Sequence, residues 1–317
     1  MDDTLSISTD FIDDQIQKYD FNEPLIINIS GPQGSGKSYL TNQLYNYLKS
    51  KYHQHHHPYQ LNTIQFSMDD FYLCKSDQDK LNNTTKNPLL KGRGLPGTHE
   101  LTLLSDTFNK LINNYKKCKQ SNGGWEVIKI PSYNKGAFNG IGDRSIDNYT
   151  LIETPIDIII FEGWFNGFYS LDPTILQLKY LTSSPSPITP KGISLQSFKL
   201  YDLQEINNNL KNYESMIWPF FKISIIFHTN EIINVYPWRL QQEHELIKSA
   251  KEKGLTIGMN NDDEIIKFIN RYMPIYLLYY EDLCDYGIKN CQNLIISIDS
   301  NRKVINKKIL KEPSLKP

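Results

Sequence analysis

The chain has 317 residues, 39% of them hydrophobic and 22% charged, a composition that fits folded globular proteins and excludes fibrous and disordered classes. Its 34 basic and 35 acidic residues leave a formal net charge of −1, without the basic excess expected of a nucleic-acid or membrane-surface binder. No apolar stretch approaches a membrane span. The acidic start Met1-Asp2-Asp3-Thr4 resembles neither a signal peptide nor an Arg-rich transit peptide, so the expected compartment is the cytoplasm. Residues 1–20 read as a polar leader with partial helix, and 21–317 as one domain with insertions near 51–60, 75–97 and 180–200.

The first expected strand, 24–30, carries the apolar run Leu25-Ile26-Ile27-Asn28-Ile29 of a buried parallel strand. It leads into Gly31-Pro32-Gln33-Gly34-Ser35-Gly36-Lys37-Ser38, which fits G-x-x-x-x-G-K-[ST] at every fixed position. In that pattern, small residues let successive backbone N–H groups turn inward around a phosphate. The Lys supplies a charge for the β- and γ-phosphates, and the Ser hydroxyl can hold Mg²⁺. The helix that follows, expected over 37–52, aims its positive dipole end at the same anion. Strand, loop and helix stand in the order the motif requires.

Further strands are expected at 61–67, 126–130, 155–161, 222–227 and 293–298, and helices at 98–118, 203–217, 229–253 and 261–284. This alternation predicts an α/β fold of the P-loop NTPase kind. It is a three-layer sandwich with a mostly parallel central sheet and helices on both faces. The His-rich stretch with His53, His55, His56 and His57, the turn at Gly123-Gly124 and the Pro/Ser-rich run 182–192 interrupt the pattern as solvated connectors. Cys74, Cys118, Cys284 and Cys291 have no metal or redox spacing and are expected to be reduced thiols.

The strand ends narrow the chemistry. The guanine-reading motif of GTPases is absent, because Asn134-Lys135-Gly136-Ala137 lacks its carboxylate. A small-molecule kinase needs a base for the attacking hydroxyl, a carboxylate beside Mg²⁺, cations for the phosphates and a shaped acceptor pocket. Ser67-Met68-Asp69-Asp70-Phe71-Tyr72 places two acids after the second strand, of which one should face the phosphate if the segment is extended. Ile158-Ile159-Ile160-Phe161-Glu162-Gly163-Trp164 ends an apolar strand in an acid, as a Walker B segment does. Lys91-Gly92-Arg93-Gly94 continuing to Thr98-His99, and Pro131-Ser132-Tyr133-Asn134-Lys135 continuing to Gly142-Asp143-Arg144, bring cations or donors on Gly-rich loops. Arg239 stands on a helical pattern after the fifth strand, 222–227, as a candidate lid arginine.

Taken in order, these segments resemble the D-glycerate 3-kinase family, including its fungal-type ATP-dependent kinases, within the group that contains phosphoribulokinase, uridine kinase and pantothenate kinase. Arg271-Tyr272-Met273-Pro274-Ile275-Tyr276 is similar to that family's Y-M-P-x-Y, and the resemblance spans roughly residues 22 to 300. It implies ATP and Mg²⁺ as cofactors and a small hydroxyl compound as acceptor. It assigns the base to Asp69, the metal side to Ser38 and Glu162, and the phosphate charges to Lys37 and Arg239. Asp70, Tyr72, Arg93, His99, Tyr133, Lys135 and Arg144 become acceptor-side candidates. Arg93, Lys135 and Arg144 favour an anionic acceptor, best D-glycerate, with no nucleic-acid or membrane partner. Glu100 after the Thr-His pair and Asn134-Lys135 in place of Tyr-Asp-Lys depart from the family pattern on the acceptor side. The residues alone leave open a nucleoside or pantothenate-like acceptor, or a nucleotide-binding regulatory module.

Overall fold

A computed structural model describes residues 2–52, 60–121, 124–184, 193–252 and 261–310. The His-rich stretch 53–57, Gly123 and the run 185–192 lie outside the described residues. The central sheet has six strands. They are β1 (Leu25–Ser30), β2 (Thr63–Ser67), β5 (Ile158–Gly163), β6 (Ile223–His228), β7 (Gln292–Ile298) and β8 (Val304–Leu310), in spatial order β2-β5-β1-β6-β7-β8. All neighbours are parallel except the β7–β8 pair.

Side chains alternate across the strands, so the inner strands feed two cores. Ile27, Ile29, Ile158, Ile160 and Ile225 face one core, which is completed by Leu40, Leu44 and Leu48 of α2 (Lys37–Tyr52). Ile26, Ile159, Phe161 and Ile226 face the other core. There they meet α4 (Leu101–Ser121), α6 (Leu200–Met216) and α8 (Asp262–Tyr286) through residues such as Phe108, Ile206 and Tyr276. Burial on both faces explains the near-continuous apolar runs of β1 and β5. The expected α/β sandwich is the observed one.

Several elements differ from expectation. Residues 2–18, read as a polar leader, form helix α1, which buries Phe11, Ile12 and Ile16 against the α2 side of the sheet. Asp13 of α1 accepts from Tyr47, Lys51 and Tyr52 at 2.5–2.6 Å, and this fastens the helix to α2. The strand expected at 126–130 is β3 (Ile128–Asn134). It pairs antiparallel with β4 (Asp143–Ile152) in a separate two-stranded sheet rather than in the central one. Helices α3 (Lys75–Thr84), α5 (Pro173–Thr182) and strand β8 were not expected, and helix α7 (Val235–Glu252) begins six residues later than the predicted start at 229. The four cysteines are free. No helix among the described residues is long and apolar enough to cross a membrane.

Candidate active site

The site lies where parallel strands end, as it does in open α/β sheets. Registry does the placing. Ser67 pairs with Glu162 across β2–β5, and Ile29 pairs with Glu162 across β5–β1. The end of β2, the acid of β5 and the phosphate loop therefore meet at one level. Between them and α7–α8 opens a cavity of about 380 Å³, within the range of small-molecule sites.

The loop 31–38 is supported by side chains from distant parts of the chain. Tyr276 of α8 accepts the Gln33 N–H at 3.0 Å, and Arg302, in the β7–β8 turn, donates to the Gly34 carbonyl at 2.7 Å. Gly34 has φ +76, and a Cβ there would lie 2.6 Å from the Cβ of Trp238, so only glycine fits between the loop and α7. Lys37, 8% exposed, donates to the Pro32 carbonyl at 3.0 Å. Burial pushes its ammonium pKa down, opposed by the nearby carboxylates of Glu162 and Asp69. Glu162 Oε1 accepts from Ser38 Oγ at 3.2 Å and from Ser67 Oγ at 3.0 Å.

The two neighbouring acids part ways because the segment is not extended. Residues 68–71 form a 3₁₀ turn with Ser67 as cap: its Oγ accepts the Asp69 N–H at 3.2 Å, and Asp70 accepts the Ser67 N–H at 2.9 Å. Asp70's other oxygen takes the Tyr133 N–H at 3.4 Å, so its carboxylate caps backbone and does not line the cavity, contrary to an acceptor contact. Asp69 faces the cavity. Tyr72 Oη donates to its Oδ1 at 2.7 Å, and Lys135 Nζ lies 2.5 Å from its Oδ2. Burial works to raise the Asp69 pKa, but the ammonium of Lys135 outweighs it and holds the carboxyl at about 2.

Tyr72, Arg93, Lys135 and Arg239 join Asp69 and Lys37 on the cavity wall. Arg93 donates to the carbonyls of Gly140 and Ile141 in the β3–β4 turn, the former at 2.9 Å, and its guanidinium lies over the Tyr133 ring. Arg239 pairs with Glu243 and lies over the Phe268 ring at 5.2 Å. With Arg302 the cavity carries five cations against the three carboxylates of Asp69, Glu162 and Glu245, an imbalance suited to a polyanion.

Besides Asp70, three expected site residues sit elsewhere. Arg144 donates to the Tyr72 carbonyl at 3.3 Å and lines an outer groove with Phe138 and Tyr149. Tyr133 is buried under Arg93. His99 lies behind Tyr72, ring centroids 4.6 Å apart, with Nδ1 2.8 Å from Tyr213 Oη. It is not the cation its residue type allows, because burial holds its pKa at about 3, against a weaker pull from Asp69. Between that value and the unfolded value near 6.5, the unfolded chain binds a proton that the folded one refuses. Stability is therefore lost as pH falls below about 6.5. In denaturant titrations the wild type should lose about 2 kcal/mol more than His99→Phe between pH 7 and pH 5. Equal losses would contradict a buried neutral imidazole.

Residues that sequence reading assigned no role complete the walls. Trp164 donates from its indole to the Gly94 carbonyl at 3.0 Å, and Arg271 donates to the carbonyls of Lys91 and Arg93. Tyr272 lies so close to Gly94 (φ +131) that a Cβ there would meet its hydroxyl at 1.8 Å. The Y-M-P-x-Y segment was visible as a motif, but its contacts with loop 91–97 and the phosphate loop were not.

Comparison with known proteins places the chain. No protein-family model matches it. The Saccharomyces cerevisiae protein named "Probable ATP-dependent kinase TDA10" is 40% identical over 291 residues, which is 90% of this chain and 88% of that protein. A solved D-glycerate 3-kinase from Cryptococcus neoformans var. grubii is 30% identical with a TM-score of 0.80, over 97% of this chain and 99% of that one. The chloroplastic D-glycerate 3-kinase of Arabidopsis thaliana is 30% identical over 292 residues, which is 89% of this chain but only 54% of the plant protein.

Proposed function

Because the chain belongs to the D-glycerate 3-kinase family of ATP-dependent P-loop kinases, we propose that it transfers the γ-phosphate of ATP to a hydroxyl of a small anionic metabolite, D-glycerate foremost. The observation that carries this reading is the convergence of Asp69, Lys135 and Lys37 on one cavity beside loop 31–38. In this reading Asp69 is the base, Lys135 the cation for an acidic acceptor and Lys37 the cation for the phosphates.

Loop 31–38 cradles the phosphates with its backbone N–H groups at the start of α2. Lys37 and Arg239 neutralise charge on the transferred group. Ser38 and Glu162 offer hard oxygen donors already 3.2 Å apart, with Ser67 fixing the carboxylate, and this set fits Mg²⁺. Mg²⁺ held by Ser38 and Glu162 would supply positive charge to the phosphate oxygens. Asp69 accepts the proton of the acceptor hydroxyl while Tyr72 holds its other oxygen in place. The aromatic wall of Trp164, Tyr272 and Phe268 restricts water around the reacting groups.

Acceptor-dependent ADP release tests the reading. With ATP and Mg²⁺, D-glycerate should stimulate release above the acceptor-free rate, and uridine, pantothenate and ribulose 5-phosphate should not. Stimulation by uridine alone would overturn the anionic acceptor, and stimulation by none would overturn the assignment of these substrates.

A further inference from the structure

Asp69 is engaged on both oxygens: Tyr72 Oη donates to Oδ1 at 2.7 Å and Lys135 Nζ to Oδ2 at 2.5 Å. The ammonium on Oδ2 draws charge from that oxygen and competes for it with any hydroxyl in the cavity. The two partners of the ion pair are not equally fixed. Asp69 stands on the capped 3₁₀ turn and its side chain is 25% exposed, whereas that of Lys135 is 59% exposed at the tip of the β3–β4 hairpin. The hairpin does not depend on this pair to stay in place. Arg93 holds the Gly140 and Ile141 carbonyls, Arg144 donates to the Tyr72 carbonyl, and Asp143 accepts the Lys75 N–H at 2.7 Å. Lys135 can therefore turn from one carboxylate to another while the loop remains docked.

The other cations of the cavity have different partners. Lys37 is held by the Pro32 carbonyl, Arg239 by Glu243, Arg302 by the Gly34 carbonyl and Arg93 by the hairpin carbonyls. Lys135 is the one among these cavity-lining cations whose hydrogen-bond partner is the base itself.

We propose that Lys135 determines acceptor specificity by exchange: it neutralises Asp69 in the free enzyme, and an acidic group on the acceptor takes it over, releasing Asp69 to the hydroxyl that reacts. This rests on the kinase reading above and adds a reason for anionic acceptors. A hydroxy acid replaces one carboxylate on Lys135 by another, so little Coulomb attraction is lost. A neutral acceptor offers Lys135 no second carboxylate, so Lys135 stays on Asp69 and the base stays engaged. Once Asp69 is released, the acceptor oxygen bonds to the γ-phosphorus. The bond to the bridging oxygen breaks with its electron pair staying on ADP, and the hydroxyl proton passes to Asp69 Oδ2. With water in place of the acceptor, the same steps give ADP and inorganic phosphate.

ATP hydrolysis without acceptor reads the exchange directly. Lys135→Met should raise it about tenfold, because Asp69 is then free to take a proton from water. Lys135→Arg, which keeps an ion pair with Asp69, should raise it less than Lys135→Met does. In the wild type, D-lactate, which carries the carboxylate but no terminal hydroxyl, should stimulate hydrolysis, and in Lys135→Met it should not. A Lys135→Met protein with a wild-type melting temperature but hydrolysis at or below the wild-type rate overturns the exchange. So does a wild type whose hydrolysis is unmoved by D-lactate at concentrations that inhibit phosphorylation of D-glycerate. The acceptor-free comparison stands apart from the acceptor assignment: raised hydrolysis in Lys135→Met with no transfer to any acceptor would overturn the latter and leave the former.

Discussion

Asp69→Asn should lower kcat by about 10²-fold or more while nucleotide affinity stays within a few-fold, since general-base catalysis contributes factors of this order. The substitution is nearly isosteric. The amide oxygen can still accept from Tyr72 Oη, so the 3₁₀ turn and its cap survive. What is lost is the ability to take a proton from the acceptor hydroxyl. Lys135 loses its partner, but its side chain is more than half exposed, so water can solvate it and the fold should tolerate the change. Single-turnover phosphorylation together with a nucleotide titration separates the two effects. An unchanged turnover would remove Asp69 from the mechanism.

Lys37→Met should reduce kcat/KM for ATP by at least about 10²-fold, the usual loss when one preorganised charge facing a developing anion is removed. Its effect on stability should be small. Met has a similar length and no charge to bury, and desolvation is the largest influence acting on the Lys37 ammonium. The Pro32 carbonyl loses a donor, at a cost of about 1 kcal/mol. Catalysis should collapse while the melting temperature barely moves. A variant with normal activity would contradict the assignment of loop 31–38 to the phosphates, and one that unfolds would show that Lys37 serves the fold.

How legible these features were depended on distance along the chain. The phosphate loop was readable because strand β1, loop and helix α2 are contiguous, and the motif encodes its own geometry. Glu162 and Asp69 were readable as strand-end acids, but their convergence was not. Ser67, Glu162 and the loop meet through the spatial order β2-β5-β1, which no local pattern states. Tyr276 and Arg302 reach the loop from more than two hundred residues away, so their contacts with it could not be read from their own segments.

The misplaced strand had a visible signal. Ile128-Lys129-Ile130 alternates buried, exposed, buried, the pattern of a half-exposed antiparallel strand and not of a buried parallel one. The packing of helix α1 was hidden by composition: Phe11, Ile12 and Ile16 are its buried apolar anchors, spaced among Asp, Ser and Thr. Asp70 and His99 show the reverse difficulty. Both are residue types that suit a site, yet one caps a backbone turn and the other is a neutral ring under Tyr72. Residue type alone does not report which side of a loop faces the ligand.

The most direct test of the central claim is transfer of label from γ-labelled ATP, in the presence of Mg²⁺, to D-glycerate. The account predicts label in phosphoglycerate, formed faster than inorganic phosphate is released, and lowered about 10²-fold or more in Asp69→Asn. Label appearing only as inorganic phosphate, or moving to a neutral nucleoside in preference to glycerate, would contradict it.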